Sequence, residues 1–291
     1  MIALVQLLIK YAFLEPFGAQ TSLTSLGMVL LILATIFIAA AGNIINDIYD
    51  VETDFVNKPN KLIIGKSISE KTAYNLFIAF NVIGVGLGFY ISHLVDKSPF
   101  FSIFVVISAL LYVYATYLKR TLLIGNIVIS LLVALSIIIV GVFELLPAIT
   151  PQNQPLQLAF FKVIFNYAIF AFVINLLREI TKDIEDIDGD HKAGMNTLPI
   201  AIGRERATKV LFILSLIPLF IITLYTINEL YKNLIAVIYF LLFIIGPLLY
   251  ISIKAFSAKT KKEHRHISNM LKLVMLFGML SLLLYTFILK K

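Results

Sequence analysis

Apolar runs of about twenty residues recur from one end of the chain to the other, each closed by a short polar or charged stretch. A helix rises 1.5 Å per residue, so about 20 apolar residues cross roughly 30 Å of hydrocarbon. By that measure the sequence predicts nine spans, at 2–18, 22–45, 72–95, 99–118, 122–146, 158–177, 208–227, 233–256 and 270–289. The first is the weakest, because Lys10, Glu15, Pro16 and Gly18 predict a kinked, tilted or partly interfacial segment. The expected fold class is an all-α polytopic membrane protein, one domain over 1–291. Stretches 22–146 and 158–289 hint at an internal repeat.

Composition sharpens this. The chain of 291 residues is 60% hydrophobic and 14% charged, against about 25% charged in soluble domains, which excludes a soluble enzyme or a disordered chain. Cys is absent, so disulfides, thiolate chemistry and cysteine metal sites are excluded. Trp is also absent, leaving 13 Tyr and 23 Phe as interfacial aromatics. No removable signal peptide is expected, because the first run lacks a basic lead and a small-residue cleavage pattern. The net charge of +7 is broken into clusters between apolar runs, which excludes a nucleic-acid-binding face.

Eighteen of the 24 basic residues fall in alternate loops, whereas the opposite interior loops hold only Lys97 and Lys232. This positive-inside pattern predicts a plasma (inner) membrane protein with its N-terminus and acidic segments cytoplasmic. The C-terminus is expected outside, with Lys290 and Lys291 a small cost.

Ten of the 17 acidic residues lie in two windows, 47–54 and 179–190, both at span ends on the predicted inner side. In the first, Asn46, Asp50 and Asp54 are spaced by four beside Asp47, so an amide and two carboxylates share one helix stripe. Hard oxygen donors suit Mg²⁺, which completes its shell with water and phosphate oxygens. Pro59 stops the helix, and Asn57 and Lys58 are placed to reach back to a phosphate, with Lys61 and Lys66 raising the local potential.

In the second window, Asp186 and Asp190 repeat the spacing, and Asp183 one turn earlier is a further candidate metal ligand. Arg178 and Lys182, also four apart, put cations beside the acids as candidate diphosphate contacts. Gly189 is expected to let the chain leave regular helix. Lys119 and Arg120 in a tight turn could grip phosphate or fix topology. Asn126, buried near a helix start, needs a partner. Glu144 reads as a solvated helix end, His264 and His266 as a solvated loop, and His93 as interfacial. His191 reads as a surface residue or a base.

Two carboxylate groups with cations between them fit a diphosphate, whose charge they tolerate only through bridging metal. The chemistry expected is ionisation of an allylic carbon–oxygen bond. A general acid–base pair would use two of the acids and leave the rest without a role. A cation transporter would carry its carboxylates near mid-bilayer, not at span ends. A non-catalytic lipid-binding scaffold would be indifferent to chelators.

At these windows the sequence resembles the UbiA-type intramembrane prenyltransferase family. The first family motif stands as Asn46, Asp47, Asp50 and Asp54, followed by the NKP at 57–59, and the second as Asp186 and Asp190. The resemblance implies nine helices around a central cavity, helical caps over two aspartate-rich sites, and Mg²⁺-dependent prenyl transfer from a polyprenyl diphosphate. It assigns the metal to Asn46, Asp50, Asp54, Asp186 and Asp190, and the diphosphate to Lys58, Lys119, Arg120 and Lys182. The run REITKDIEDIDGD and the Lys-Arg-x-x-x-x-Gly-Asn stretch at 119–126 look most like the branch with geranylgeranylglyceryl phosphate as acceptor. An aromatic acceptor, a hydroxybenzoate or naphthoate, is the alternative. The first helix departs from the family: Lys10 is retained with no Asn after it, on the side expected to handle the acceptor. No obligate protein partner is expected beyond membrane lipids.

Overall fold

In the computed structural model, which describes residues 1–288, the side chains of Lys61 and of 286–288 lie outside the description, as do Lys290 and Lys291. The helices are α1 (Ile2–Leu7), α2 (Ser25–Tyr49), α3 (Val51–Asn57), α4 (Glu70–Leu94), α5 (Phe101–Thr116), α6 (Ile124–Glu144) and α7 (Gln154–Lys192). They continue with α8 (Leu198–Ile202), α9 (Arg204–Glu229), α10 (Leu234–Phe240), α11 (Gly246–Ser257), α12 (Lys261–Leu280) and α13 (Leu282–Ile288). Oxygen side chains start several of them: Thr24, Ser69 and Asn233 each accept a first-turn N–H, and Thr260 with Glu263 forms a capping box.

Among the described residues eight helices, not nine, are long and apolar enough to cross a membrane. The missing one is the first. After α1 the chain widens into a π-turn at Leu8–Leu14 and tightens at Glu15–Phe17, where Pro16 and a left-handed Gly18 end it. That run of 16 residues rises only about 24 Å. It is not a surface helix either, since Val5, Gln6, Ile9, Lys10, Phe13 and Leu14 are buried against α2, α6 and α13. Gln6 donates to the Ser136 carbonyl at 2.9 Å and accepts from Thr35 Oγ1 at 3.1 Å, so its amide is satisfied inside the bundle. The span made by α10 and α11 carries a π-turn at Leu241–Ile245 just before Gly246-Pro247. Proline has no N–H to continue the ladder there.

One apolar cluster joins the N-terminal segment, α2, α4, α5 and α6 to the first half of α7. A second joins the later half of α7 to α9, α11 and α12. The helix α7, 39 residues long, is therefore the mast shared by both halves. It runs 15 residues beyond the expected span end at 177 and carries the second acidic window in unbroken helix, through Gly189.

Candidate active site

The stripe of the first window survives a change of helix. Asp50 caps α2 and precedes α3, yet Asp50 N–H donates to the Asn46 carbonyl at 2.9 Å, Asp54 N–H to Asp50 at 2.7 Å and Lys58 N–H to Asp54 at 2.8 Å. Four polar side chains therefore stay on one line. Asn46 Nδ2 donates to Asp50 Oδ2 at 2.6 Å, and Lys119 Nζ reaches Asp50 Oδ1 at 2.6 Å and Asn46 Oδ1 at 3.3 Å. Lys119 is delivered by a tight turn at Leu118–Arg120. Gly125 lets α6 start against that turn, because a Cβ there would stand 2.7 Å from the Leu118 carbonyl oxygen. Arg120 is exposed, and its carbonyl accepts from Asn196 N–H at 2.8 Å. Asp47 is exposed as well.

The two windows meet. Lys58 Nζ donates to Asp186 Oδ2 at 2.6 Å, across 128 residues of chain. Asn57 does not point at a phosphate site. Its Nδ2 donates to the Asp186 carbonyl at 2.9 Å and its Oδ1 accepts from Gly189 N–H at 3.1 Å. Gly189 thus has a different part from the expected helix break: a Cβ there would lie 2.3 Å from Asn57 Nδ2. From α12, Lys261 Nζ donates to the Asn57 carbonyl at 3.2 Å and stands 3.7 Å from Asp186 Oδ1. Asp190 is buried.

Among the described residues, no three carboxylate or imidazole groups converge on one point. Lysines lie between the acids instead. Asp186 Oδ1 is buried and accepts no hydrogen bond, so an oxygen suited to a hard cation is left over. The donor set is all oxygen, with the ammonium groups of Lys58 and Lys119 paired to Asp186 and Asp50. These residues fit Mg²⁺. Burial first, then the negative charges of Asp50 and Asp186, push Asp54 above the ordinary carboxylate range, and Lys58 only partly opposes them. Burial pulls Lys58 down, but its bond to Asp186 and the charges of Asp186, Asp54 and Glu185 leave it raised, hence cationic.

Other expected site residues have different hydrogen-bond partners. Asp183 accepts from Asn126 Nδ2 at 2.8 Å, which supplies the partner Asn126 required and turns this carboxylate toward α6. Arg178 and Lys182 hold Glu179, at 2.7 and 2.9 Å, and not the aspartates. Lys10 is remote: it binds Glu144 at 2.7 Å and the Leu23 carbonyl at 2.5 Å, at the far end of α6 from Asn126. Glu144 is accordingly buried, not solvated. His264 is buried too, between Thr260 and Thr208. His191 and His93 are exposed. Lys261 carries no local signal, arriving from a helix 75 residues beyond Asp186. Glu179 had one, since Lys182 follows it at i+3.

The profile of the UbiA prenyltransferase family matches residues 12–276. A digeranylgeranylglyceryl phosphate synthase of Korarchaeum cryptofilum is 33% identical over 271 residues, 92% of this chain and 89% of that protein. A UbiA homolog of Aeropyrum pernix K1 superposes with a TM-score of 0.70 at 14% identity, covering 99% of this chain and 97% of that one. A UbiA homolog of Archaeoglobus fulgidus, bound to DMAPP and Mg²⁺, gives 0.58 at 19% identity over 97% and 96%.

Proposed function

The chain belongs to the UbiA prenyltransferase family, and from that premise we propose that it transfers a geranylgeranyl group from its diphosphate to a glyceryl lipid phosphate, releasing diphosphate. The observation that carries the reading is the 2.6 Å contact of Lys58 with Asp186, which joins the two acidic windows through a cation. The relatives' acceptor is the reason for preferring a lipid phosphate over an aromatic acid.

Asn46, Asp50 and Asp54 on one side, with Asp186 and Asp190 on the other, would hold Mg²⁺. When bound it supplies charge stabilisation to the departing diphosphate. Lys58 and Lys119 exchange their carboxylate partners for diphosphate oxygens, and Arg120 adds charge from the rim. The allylic carbon–oxygen bond breaks with its electron pair leaving on diphosphate, and the acceptor hydroxyl oxygen forms the new ether bond as its proton passes to the departing diphosphate. The apolar walls of the bundle keep out water, the competing nucleophile. The acidic end faces the cytoplasm of the plasma membrane, consistent with the loop charges.

Purified protein incubated with Mg²⁺, labelled geranylgeranyl diphosphate and either a glyceryl lipid phosphate or a hydroxybenzoate tests this by mass spectrometry. A digeranylgeranylglyceryl product, lost with chelator and restored by Mg²⁺, is expected. Transfer only to the aromatic acid would reject the acceptor, and transfer indifferent to chelator would reject the metal role.

A further inference from the structure

We propose that Lys261, delivered by the first turn of α12, is a further substrate-binding residue that grips the diphosphate of the prenyl donor. The inference rests on the prenyl-transfer reading above and adds to that site a cation from a helix that carries neither acidic window.

The ammonium groups of Lys58, Lys119 and Lys261 reach the acidic windows, and their bonding differs. Lys58 and Lys119 each donate to a carboxylate at 2.6 Å, to Asp186 and Asp50 respectively. Lys261 Nζ stands 3.7 Å from Asp186 Oδ1, beyond hydrogen-bond reach. It rests instead on neutral oxygens of Asn57, the carbonyl at 3.2 Å and Oδ1 at 3.5 Å. An ammonium has three N–H donors, so these contacts leave one over. The Lys261 side chain is also 33% exposed, against 7% for Lys119. Asp186 Oδ1, which it faces, is buried and accepts no hydrogen bond. The carboxylate oxygen and the ammonium are each left for another partner.

This difference decides which lysine is available to an incoming anion. A diphosphate brings several negative charges into a site lined with carboxylates. Before Lys58 or Lys119 meets it, each must leave a charge-assisted bond, which is roughly twice as strong as a neutral one. Lys261 gives up no such bond. Its placement is also independent of its own charge. Thr260 and Glu263 cap α12, and Arg265, four residues on and so on the same helix face as Lys261, donates Nε to the buried Glu185 at 2.8 Å. Glu185 adjoins Asp186 on α7, so this pair docks the first turns of α12 beside the second window whatever stands at 261.

Calorimetric titration of the purified full chain with inorganic diphosphate in Mg²⁺ reads the contact without turnover. Lys261→Met keeps the stem and removes the charge, and it should weaken diphosphate binding about tenfold, the scale of a lost hydrogen bond to a charged group. KM for geranylgeranyl diphosphate should rise by a similar factor, while KM for the acceptor stays within about twofold. Lys261→Arg should recover part of the affinity. A lower thermal midpoint with diphosphate affinity unchanged would make Lys261 a structural strap and overturn the proposal. Should Lys261→Met fail to fold, wild-type protein gives the answer. Inorganic diphosphate with Mg²⁺ should slow acylation of Lys261 by an amine-reactive reagent, read by peptide mass spectrometry against the exposed Lys262. Equal rates with and without diphosphate would overturn the contact. Wild-type protein that binds no diphosphate rejects prenyl transfer itself, whereas equal binding by wild type and Lys261→Met rejects Lys261 alone.

Discussion

The Asn57 side chain clips into the backbone of α7 at Gly189, accepting its N–H at 3.1 Å while donating to the Asp186 carbonyl at 2.9 Å. Two backbone groups of a helix are recruited by one amide from the other acidic window, and only a residue without Cβ admits it. Gly189→Ala should therefore push the windows apart. We expect at least a tenfold loss of turnover with the protein still folded. Asn57→Ala in the same chain removes the clash, so the double variant should lose less than the two single losses combined. Turnover and thermal midpoint across that cycle measure the coupling.

Asp50 sits between Asn46 and Lys119 at 2.6 Å on either side. Asp50→Asn keeps the shape and removes the charge. Transfer should fall by roughly 100-fold or more, the scale seen when a group stabilising transition-state charge is removed. The thermal midpoint should barely move, since the residue lies outside the apolar packing. Product formation against added Mg²⁺ is the measurement, and wild-type turnover in a folded variant would remove Asp50 from the site.

Lys10 and Glu144, both almost fully inaccessible, form an ion pair at the end of the bundle away from the chemistry. Removing one partner leaves a bare buried charge, which costs about 3–5 kcal/mol. Lys10→Met and Glu144→Gln should each destabilise strongly, and the pair together much less. Turnover per folded molecule should be unchanged in all three, as read from chemical denaturation beside an active-site count.

Orientation has its own check. The connection 145–153 is uncharged and joins α6 to α7 at the end opposite the acidic windows. A cysteine placed at Asn153, in a chain that has none of its own, should react with an impermeant maleimide added outside intact cells. Labelling only after permeabilisation would invert the assignment.

Much of this was legible in the chain because the signals are local. Apolar run length located the eight long helices, and four-residue spacing located both stripes, including one that crosses the change from α2 to α3. The features that escaped depend on distance in sequence. The clip of Asn57 on Gly189 spans 132 residues and that of Lys261 on Asn57 spans 204. Lys10 was misplaced for the same reason, since its partner Glu144 comes from the end of α6. Gly189 looked like a helix breaker because glycine lowers helix propensity; the close approach that requires it is visible only in three dimensions.

The length of α7 has a consequence for the second acidic window. At 39 residues it measures about 58 Å, well beyond the roughly 40–45 Å of a bilayer with its headgroups. Asp186 and Asp190 ride on its C-terminal end, while Gln157 near its N-terminal end is fastened to the Gln20 carbonyl at 2.7 Å. The second acidic window is thereby carried past the apolar part of the helix by unbroken helical hydrogen bonds and not by a loop.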